Sequence, residues 1–97
     1  MSKIWYVYII SNKKNGTLYI GVTSDLLKRI RQHKNKSYTW FSAKYGLDML
    51  VYYEDCGDME SAITREKELK WRLRKKKINL IESINPARED LYEKLER

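Results

Sequence analysis

The 97-residue chain has one cysteine, one histidine and one proline, and the first two scarcities each exclude a class of site. Cys56 alone cannot form an intramolecular disulfide, and Cys56 with His33 is too small a set for a Cys/His zinc cluster, so any metal has to be held mainly by oxygen. Long apolar runs are missing too: no segment approaches the roughly 20 residues that span a bilayer, and no basic N-terminal stretch leads into an apolar one. The chain is therefore expected to be soluble and cytoplasmic. It has no internal repeat, low-complexity tract or linker, and its length suits one compact unit with one main core. Hydrophobic residues at 42% and aromatics at 12% are enough for that unit to fold alone.

Carboxylates are outnumbered as well. Twenty Lys and Arg against thirteen Asp and Glu leave a formal charge of +7, which implies a polyanionic partner. Much of the excess crowds into Arg65, Lys67, Lys70, Arg72, Arg74, Lys75, Lys76 and Lys77, interrupted by Glu66 and Glu68. This stretch is either a phosphate-binding face or a solvated helix surface.

Residues 4–10 and 17–23 are rich in Tyr, Ile and Val and flank a turn cluster containing Asn15-Gly16, which predicts a β-hairpin. Ser24-Asp25 offers a cap for a helix carrying Leu26, Leu27 and Ile30 to about Lys36. Lys44-Tyr45-Gly46 is a helix end or turn, Met49–Tyr53 a third strand, and Met59 to about Lys75 a long helix. Ile78, Leu80, Ile81 and Ile84 suggest a short further helix ended by Pro86. A charged tail follows, with Leu91, Tyr92 and Leu95 as a weak apolar stripe. We divide the chain into a domain at 1–86 and a helical tail at 87–97 belonging to the same unit.

A two-residue turn at Asn15-Gly16 makes the residue numbers of each opposed hairpin pair sum to an odd value. Val7 and Ile9 then share a core face with Leu18, Ile20 and Val22, while Tyr6, Tyr8, Tyr19, Gly21 and Thr23 gather on the other face. Those tyrosines are either cross-strand pairs covering a second layer or part of a site. In the long helix, Met59, Ala62, Ile63, Leu69 and Leu73 form one stripe at about 100° per residue, with Glu66 in its middle. A carboxylate there needs an ion pair, for which Arg29 is the obvious candidate, or a metal. Arg29 and His33, four apart on the first helix, share one side. They are either a surface arginine with a capping histidine or two groups facing one cleft.

Taken in order, these residues resemble the motifs of GIY-YIG nucleases. Tyr6-Val7-Tyr8, ten intervening residues, and Tyr19-Ile20-Gly21 are similar to the two signature triplets. The run Gly21-Val22-Thr23-Ser24-Asp25-Leu26 leading to Arg29 and His33 resembles the family's next segment. Ala62 to Trp71 resembles the segment bearing its metal-binding glutamate, and Asn85-Pro86 completes the match over roughly residues 4–86. The likeness is closest to the small stand-alone bacterial members. Tyr6 stands where the family name has Gly, and His33 where the repair enzymes carry a tyrosine.

The resemblance implies an α/β (α+β) domain, a small three-stranded antiparallel sheet flanked by helices, with the active site on one sheet face. It implies that Glu66 holds a single Mg²⁺ or Mn²⁺ ion and that Tyr8 and Tyr19 position or deprotonate the attacking water. Arg29 would bind the scissile phosphate and offset transition-state charge, and His33 would assist proton transfer or hold phosphate. Gly21 would permit close approach of substrate, Lys70, Arg72, Lys75 and Lys76 would bind it, and Tyr6 and Asn85 would be structural. A tyrosine titrating near 10 is a poor base at neutral pH unless the metal, Arg29 or neighbouring lysines lower its pKa.

The function expected is a metal-dependent endonuclease acting on nucleic acid, DNA in the first instance, with low intrinsic sequence specificity and no membrane partner, a monomer being assumed. The rival is a nucleic-acid-binding module that keeps the fold without useful turnover. A protein-interaction domain fits the charge and the clustered polar residues less well. If the 65–77 stretch binds phosphates, log affinity falls linearly with log salt. Neutralising Arg72, Lys75 and Lys76 together is then expected to flatten the slope, and an unchanged slope would place the binding face elsewhere.

Overall fold

The computed structural model describes residues 3–13 and 16–95. Three strands, β1 (Trp5–Ser11), β2 (Leu18–Thr23) and β3 (Met49–Cys56), form one antiparallel sheet in the order β2-β1-β3. Among the described residues there are also five helices: α1 (Leu26–Lys34), α2 (Trp40–Lys44), α3 (Met59–Trp71), α4 (Arg74–Ile84) and α5 (Tyr92–Leu95). This is the three-stranded α+β architecture that the sequence predicts. Among the described residues, no helix is long and apolar enough to cross a membrane.

The hairpin pairs Tyr8 with Gly21, Ile9 with Ile20 and Ser11 with Leu18, sums that are odd as expected. The last of these pairs leaves residues 12–17 as the connection, longer than two residues. Asn15, on which the two-residue turn depended, lies outside the described residues. Parity survives the shift because side chains alternate with period two. Val7, Ile9 and Ile20 therefore share one face with Val51, Tyr52, Ala62, Leu69 and Ile81.

The opposite face is a core in its own right. Tyr8 and Ile10 are buried there with Leu26, Ile30, Leu47, Leu50 and Leu91, and Tyr6, Tyr19 and Tyr53 pack against them. The single main core expected is thus two, one on each side of the sheet, and β1 as the central strand is buried on both. An irregularity between Ile9 and Ile10 shifts the β1–β3 register by one residue. Leu50 then faces the second core while Val51 and Tyr52 both join the first. The free edge of β3 is covered at this point. Asp90 Oδ1 accepts from Leu50 N at 3.1 Å, Leu91 N donates to Leu50 O at 2.8 Å, and Asn85 Nδ2 donates to Val51 O at 3.0 Å.

The long-helix expectation needs two corrections. The helix stops at Trp71, because Arg72 and Leu73 are extended, and α4 restarts at Arg74. A straight helix from Met59 to Ile84 would run roughly 39 Å, longer than the molecule's greatest extent of 37 Å, and the break lets Ile81 return to the core. The apolar stripe is narrower than its spacing suggested: Ala62 and Leu69 are buried, whereas Met59, Ile63 and Leu73 are exposed, Leu73 by 74%. A helix lying on three strands touches them along a thin line, so residues flanking that line stay in water. The third strand also runs three residues further than expected, to Cys56.

Gly21 lies directly beneath Tyr8. A Cβ at position 21 would stand 2.4 Å from the Tyr8 hydroxyl oxygen and 2.5 Å from its Cζ. The close approach that Gly21 permits includes that of the Tyr8 side chain. Gly21→Ala is expected to destabilise the fold by about 1–3 kcal/mol through overpacking. Urea denaturation measures it, and an unchanged midpoint would mean that Tyr8 does not rest on Gly21.

Candidate active site

The helix α1 starts from a capped turn: Asp25 Oδ1 accepts from Lys28 N at 3.1 Å, and Thr23 Oγ1 accepts from Asp25 N at 3.0 Å. Leu26, Ile30 and His33 then fall on its buried side at helical spacing, which carries the imidazole inward against the tyrosine face. Tyr8, Tyr19, Arg29 and His33 converge there. The His33 ring lies 5.6 Å from that of Tyr8 and 5.5 Å from that of Tyr19, centroid to centroid, and the two tyrosine rings are 6.5 Å apart.

Tyr8 has no exposed surface, so its hydroxyl needs an internal partner. It finds His33 Nε2 at 2.9 Å. On the other side of the ring, His33 Nδ1 lies 2.7 Å from Ser42 Oγ, whose own proton goes to Leu47 O at 3.2 Å. Counting protons fixes the tautomer. A serine hydroxyl has one hydrogen, and since Leu47 takes it, Nδ1 must be the donor to Ser42; Nε2 is then the acceptor for the Tyr8 hydroxyl. Arg29 Nη1 donates to the Tyr8 oxygen at 3.4 Å and to Val22 O at 3.2 Å, while its guanidinium carbon lies 3.9 Å from the Tyr38 ring centroid. Ser42 and Tyr38 were not anticipated. Ser42 comes from α2, which Thr39 caps by accepting from Ser42 N at 3.0 Å, and nothing in the spacing of so short a helix announces which side turns inward.

Burial first, and then the neighbouring Arg29, lowers the His33 pKa to about 4. Burial raises the Tyr8 pKa, outweighing the opposing pull of Arg29. Tyr19, partly exposed, is also raised, by burial first and then by Tyr38, with the Glu66 charge adding to the effect. The lowering of a tyrosine pKa by Arg29 that a phenolate base would need is therefore overcome by desolvation at both residues. Glu66 reaches this site electrostatically although α3 packs on the opposite face, because Tyr19 sits on the edge strand β2. Its side chain is 21% exposed and pairs with Lys70 at 3.6 Å, not with Arg29.

The remaining sequence candidates are scattered. Lys70 is engaged with Glu66, and Arg65 with Glu54 and Glu68, so these members of the basic stretch are held in internal pairs. Arg72, Lys75 and Lys76 are exposed around the break between α3 and α4, which divides the stretch between two helices. Asn85 is buried, donating to Val51 O and Glu89 O and accepting from Glu89 N, and so ties α4 to β3 and to the tail. Tyr6 stacks edge-on against Tyr53, with centroids 6.4 Å apart.

A model of the GIY-YIG catalytic domain matches residues 4–79, which includes the tyrosines, Arg29, His33 and Glu66. The chain belongs to the GIY-YIG family. It is 37% identical to a UPF0213 protein of Clostridium perfringens over 92% of this chain and 94% of that one. It is also 37% identical to a UPF0213 protein of Staphylococcus saprophyticus over 78% and 92% of the two chains. The solution structure of a UPF0213 protein from Bacillus halodurans superposes with a TM-score of 0.53 at 30% identity, covering 84% of this chain and 86% of that one. A GIY-YIG domain implies nuclease activity, a nucleic-acid substrate and dependence on a divalent metal, and these names say nothing of substrate or specificity.

His33 is the chain's one histidine, so nitrogen-15 NMR reads it without assignment ambiguity. The neutral ring is expected with its proton on Nδ1, titrating near about 4 and not near 6.5. The unfolded chain, titrating near 6.5, binds more protons across that interval. The His33 contribution to stability is accordingly complete above pH 6.5 and is lost as pH falls toward 4. A proton on Nε2, or a midpoint at 6 or above, would break the hydrogen-bond chain described here.

Proposed function

We propose that the chain is a metal-dependent endonuclease that hydrolyses phosphodiester bonds in nucleic acid, DNA in the first instance, with little sequence specificity of its own. The observation that carries the proposal is the meeting of Tyr8, Tyr19, Arg29 and His33 on one sheet face within the field of the Glu66 carboxylate.

Each group has a task suited to its surroundings. Arg29 makes a long, weak bond to Tyr8, so a phosphate oxygen competes for its guanidinium on good terms, and its charge offsets the negative charge that grows in the transition state. The adjoining cleft of about 210 Å³, lined by Thr23, Ser24, Asp25, Lys28, Arg29 and Gln32, receives the phosphate chain, the Asp25 carboxylate being engaged in capping α1. Tyr19, the more exposed tyrosine, positions the attacking water. Tyr8 and His33 accept a proton as a pair once substrate engages Arg29. A proton arriving at the Tyr8 oxygen is matched by passage of its own proton to His33 Nε2, so no free phenolate has to exist. The proton then rests on an imidazole and not on a phenol, and substrate that engages Arg29 relieves part of what holds the His33 pKa down.

Among the described residues no three His, Cys, Asp or Glu side chains are grouped to hold a metal. Glu66 alone still fits a hard ion such as Mg²⁺ or Mn²⁺, which commonly takes one or two carboxylates, several waters and substrate phosphate oxygens. Bound there, the ion supplies Lewis-acid polarisation of the phosphoryl group. The single-carboxylate site makes metal and substrate binding interdependent.

The rival, a binding module without turnover, draws support from one feature, the complete burial of Tyr8. Incubation with duplex, branched and single-stranded substrates, with Mg²⁺ or Mn²⁺ and with chelator, separates the two readings. Cleavage only with metal is expected; binding without cleavage under every condition would favour the module. Glu66→Gln is expected to abolish cleavage while stability in chelator stays within about 0.5 kcal/mol, since its ion pair with Lys70 is long at 3.6 Å and open to water at the Lys70 end. A loss of several kcal/mol, with cleavage intact in the folded fraction, would refute the metal-ligand role. Arg29→Ala should depress the cleavage rate far more than affinity, and equal losses would make Arg29 a ground-state anchor only.

A further inference from the structure

The segment from Tyr38 to Tyr45 presents four aromatic rings at the surface beside the candidate site. Trp40 is 71% exposed, and Tyr38, Phe41 and Tyr45 are also exposed. A core does not account for them: α2 contributes Ser42 to the interior and turns its rings outward. The rings are continuous with the site, since Phe41 lies 6.3 Å from Tyr19 and Tyr38 lies 5.0 Å from His33, centroid to centroid. They are also interleaved with cations. Lys44 Nζ is 4.6 Å from the Trp40 centroid and 5.7 Å from that of Tyr45, and Arg29 covers Tyr38. From residue 26 to residue 47 the chain carries Lys28, Arg29, Arg31, Lys34, Lys36 and Lys44 and no Asp or Glu at all.

We propose that this face is a stacking platform for unpaired nucleobases, so that the strand cut at the site is one whose bases next to the scissile phosphate are single-stranded or splayed out. The inference rests on the nuclease reading above and names the substrate class for it. The chemistry is specific to that occupant. A paired base keeps its faces buried in the duplex and cannot stack on an exposed indole, whereas an unpaired base offers its π-face while its phosphate meets the adjacent ammonium. An apolar protein partner would be poorly served by rings that Lys44 and Arg29 lie over. The shared chemistry is the nucleobase, and DNA and RNA strands are separate arms of the test.

Fluorescence anisotropy with labelled 12-residue DNA and RNA oligonucleotides, single-stranded and duplex, is run in chelator so that no turnover interferes. The parent protein is expected to bind single strands more tightly than duplex. Trp40→Ala is expected to weaken single-strand binding roughly 5- to 150-fold, the range for loss of one stacked base, while duplex binding changes less than about twofold. Trp40→Phe should restore most of the loss. Tyr45→Ala, on the other side of Lys44, should weaken single strands in the same sense. Equal weakening of single strands and duplex, or no weakening of either, overturns the platform. So does self-association in sedimentation that Trp40→Ala dissolves, because the face would then bind a second copy. The two readings fail separately. A Trp40-dependent single-strand preference in a protein that cleaves nothing removes the nuclease reading and keeps the platform. Metal-dependent cleavage with a Trp40-independent affinity does the reverse.

Discussion

A phenol with no access to water, at the middle of the central strand, constrains nearly everything around it. Leaving the Tyr8 hydroxyl unpaired would cost about 1–3 kcal/mol, so it is held by His33, and that bond sets where α1 must lie against the sheet. The imidazole in turn has a second nitrogen to satisfy, which brings Ser42, and Ser42 has a proton to place, which brings Leu47. One chain of hydrogen bonds thereby fixes α1, α2 and the approach to β3 relative to β1. Among the described residues no buried side-chain polar atom lacks a partner. Every donor in the chain from Tyr8 to Leu47 is used once, so in the resting site, with Arg29 on the Tyr8 oxygen, an imidazolium has nowhere to put its extra proton. Geometry and desolvation thus act in the same direction to keep His33 neutral.

The two sides of the sheet hold their charges differently. On the side of α3, Arg65 is matched by Glu54, and Tyr52 donates to Glu54 at 2.9 Å, so the charges next to the sheet are paired, while Arg72, Lys75 and Lys76 stay exposed further out. On the side of α1 and α2, Lys34 is matched by Asp90, while Arg29 and Lys44 lie over aromatic rings. Glu66 is anchored on the first side and felt on the second, at Tyr19. An anion approaching the α1 face meets a positive field, which suits a phosphate chain and raises its encounter rate at low ionic strength.

The parts of this arrangement legible in the sequence were those governed by a short period. Alternation along the hairpin separated the tyrosines from Val7, Ile9 and Ile20 correctly, even though the connection is longer than an Asn-Gly turn, because parity is insensitive to a shift by two. The four-residue spacing likewise put Arg29 and His33 together. What depended on tertiary contact was hidden. The break at Arg72 and Leu73 has no glycine or proline to mark it, and it follows from fitting two helices onto one small sheet. The stripe around Glu66 was read too wide, since spacing reports which residues could face the sheet and not how much of the helix the sheet is broad enough to cover. Ser42 matters through a partner nine residues away on another helix, and no local pattern encodes that.

One consequence follows for how this scaffold can diversify. The helix α2 is five residues long, and Ser42 is its one buried residue. The rest of its surface is therefore free to vary without disturbing either core, provided position 42 keeps a hydroxyl. A lineage, or a protein engineer, could rewrite what the domain holds beside its cutting centre by exchanging a handful of residues there, leaving the chemistry on β1, β2 and α1 untouched. On the proposed reading, recognition would sit on α2 and reaction on β1, β2 and α1, the two meeting at Ser42 and where Phe41 lies against Tyr19.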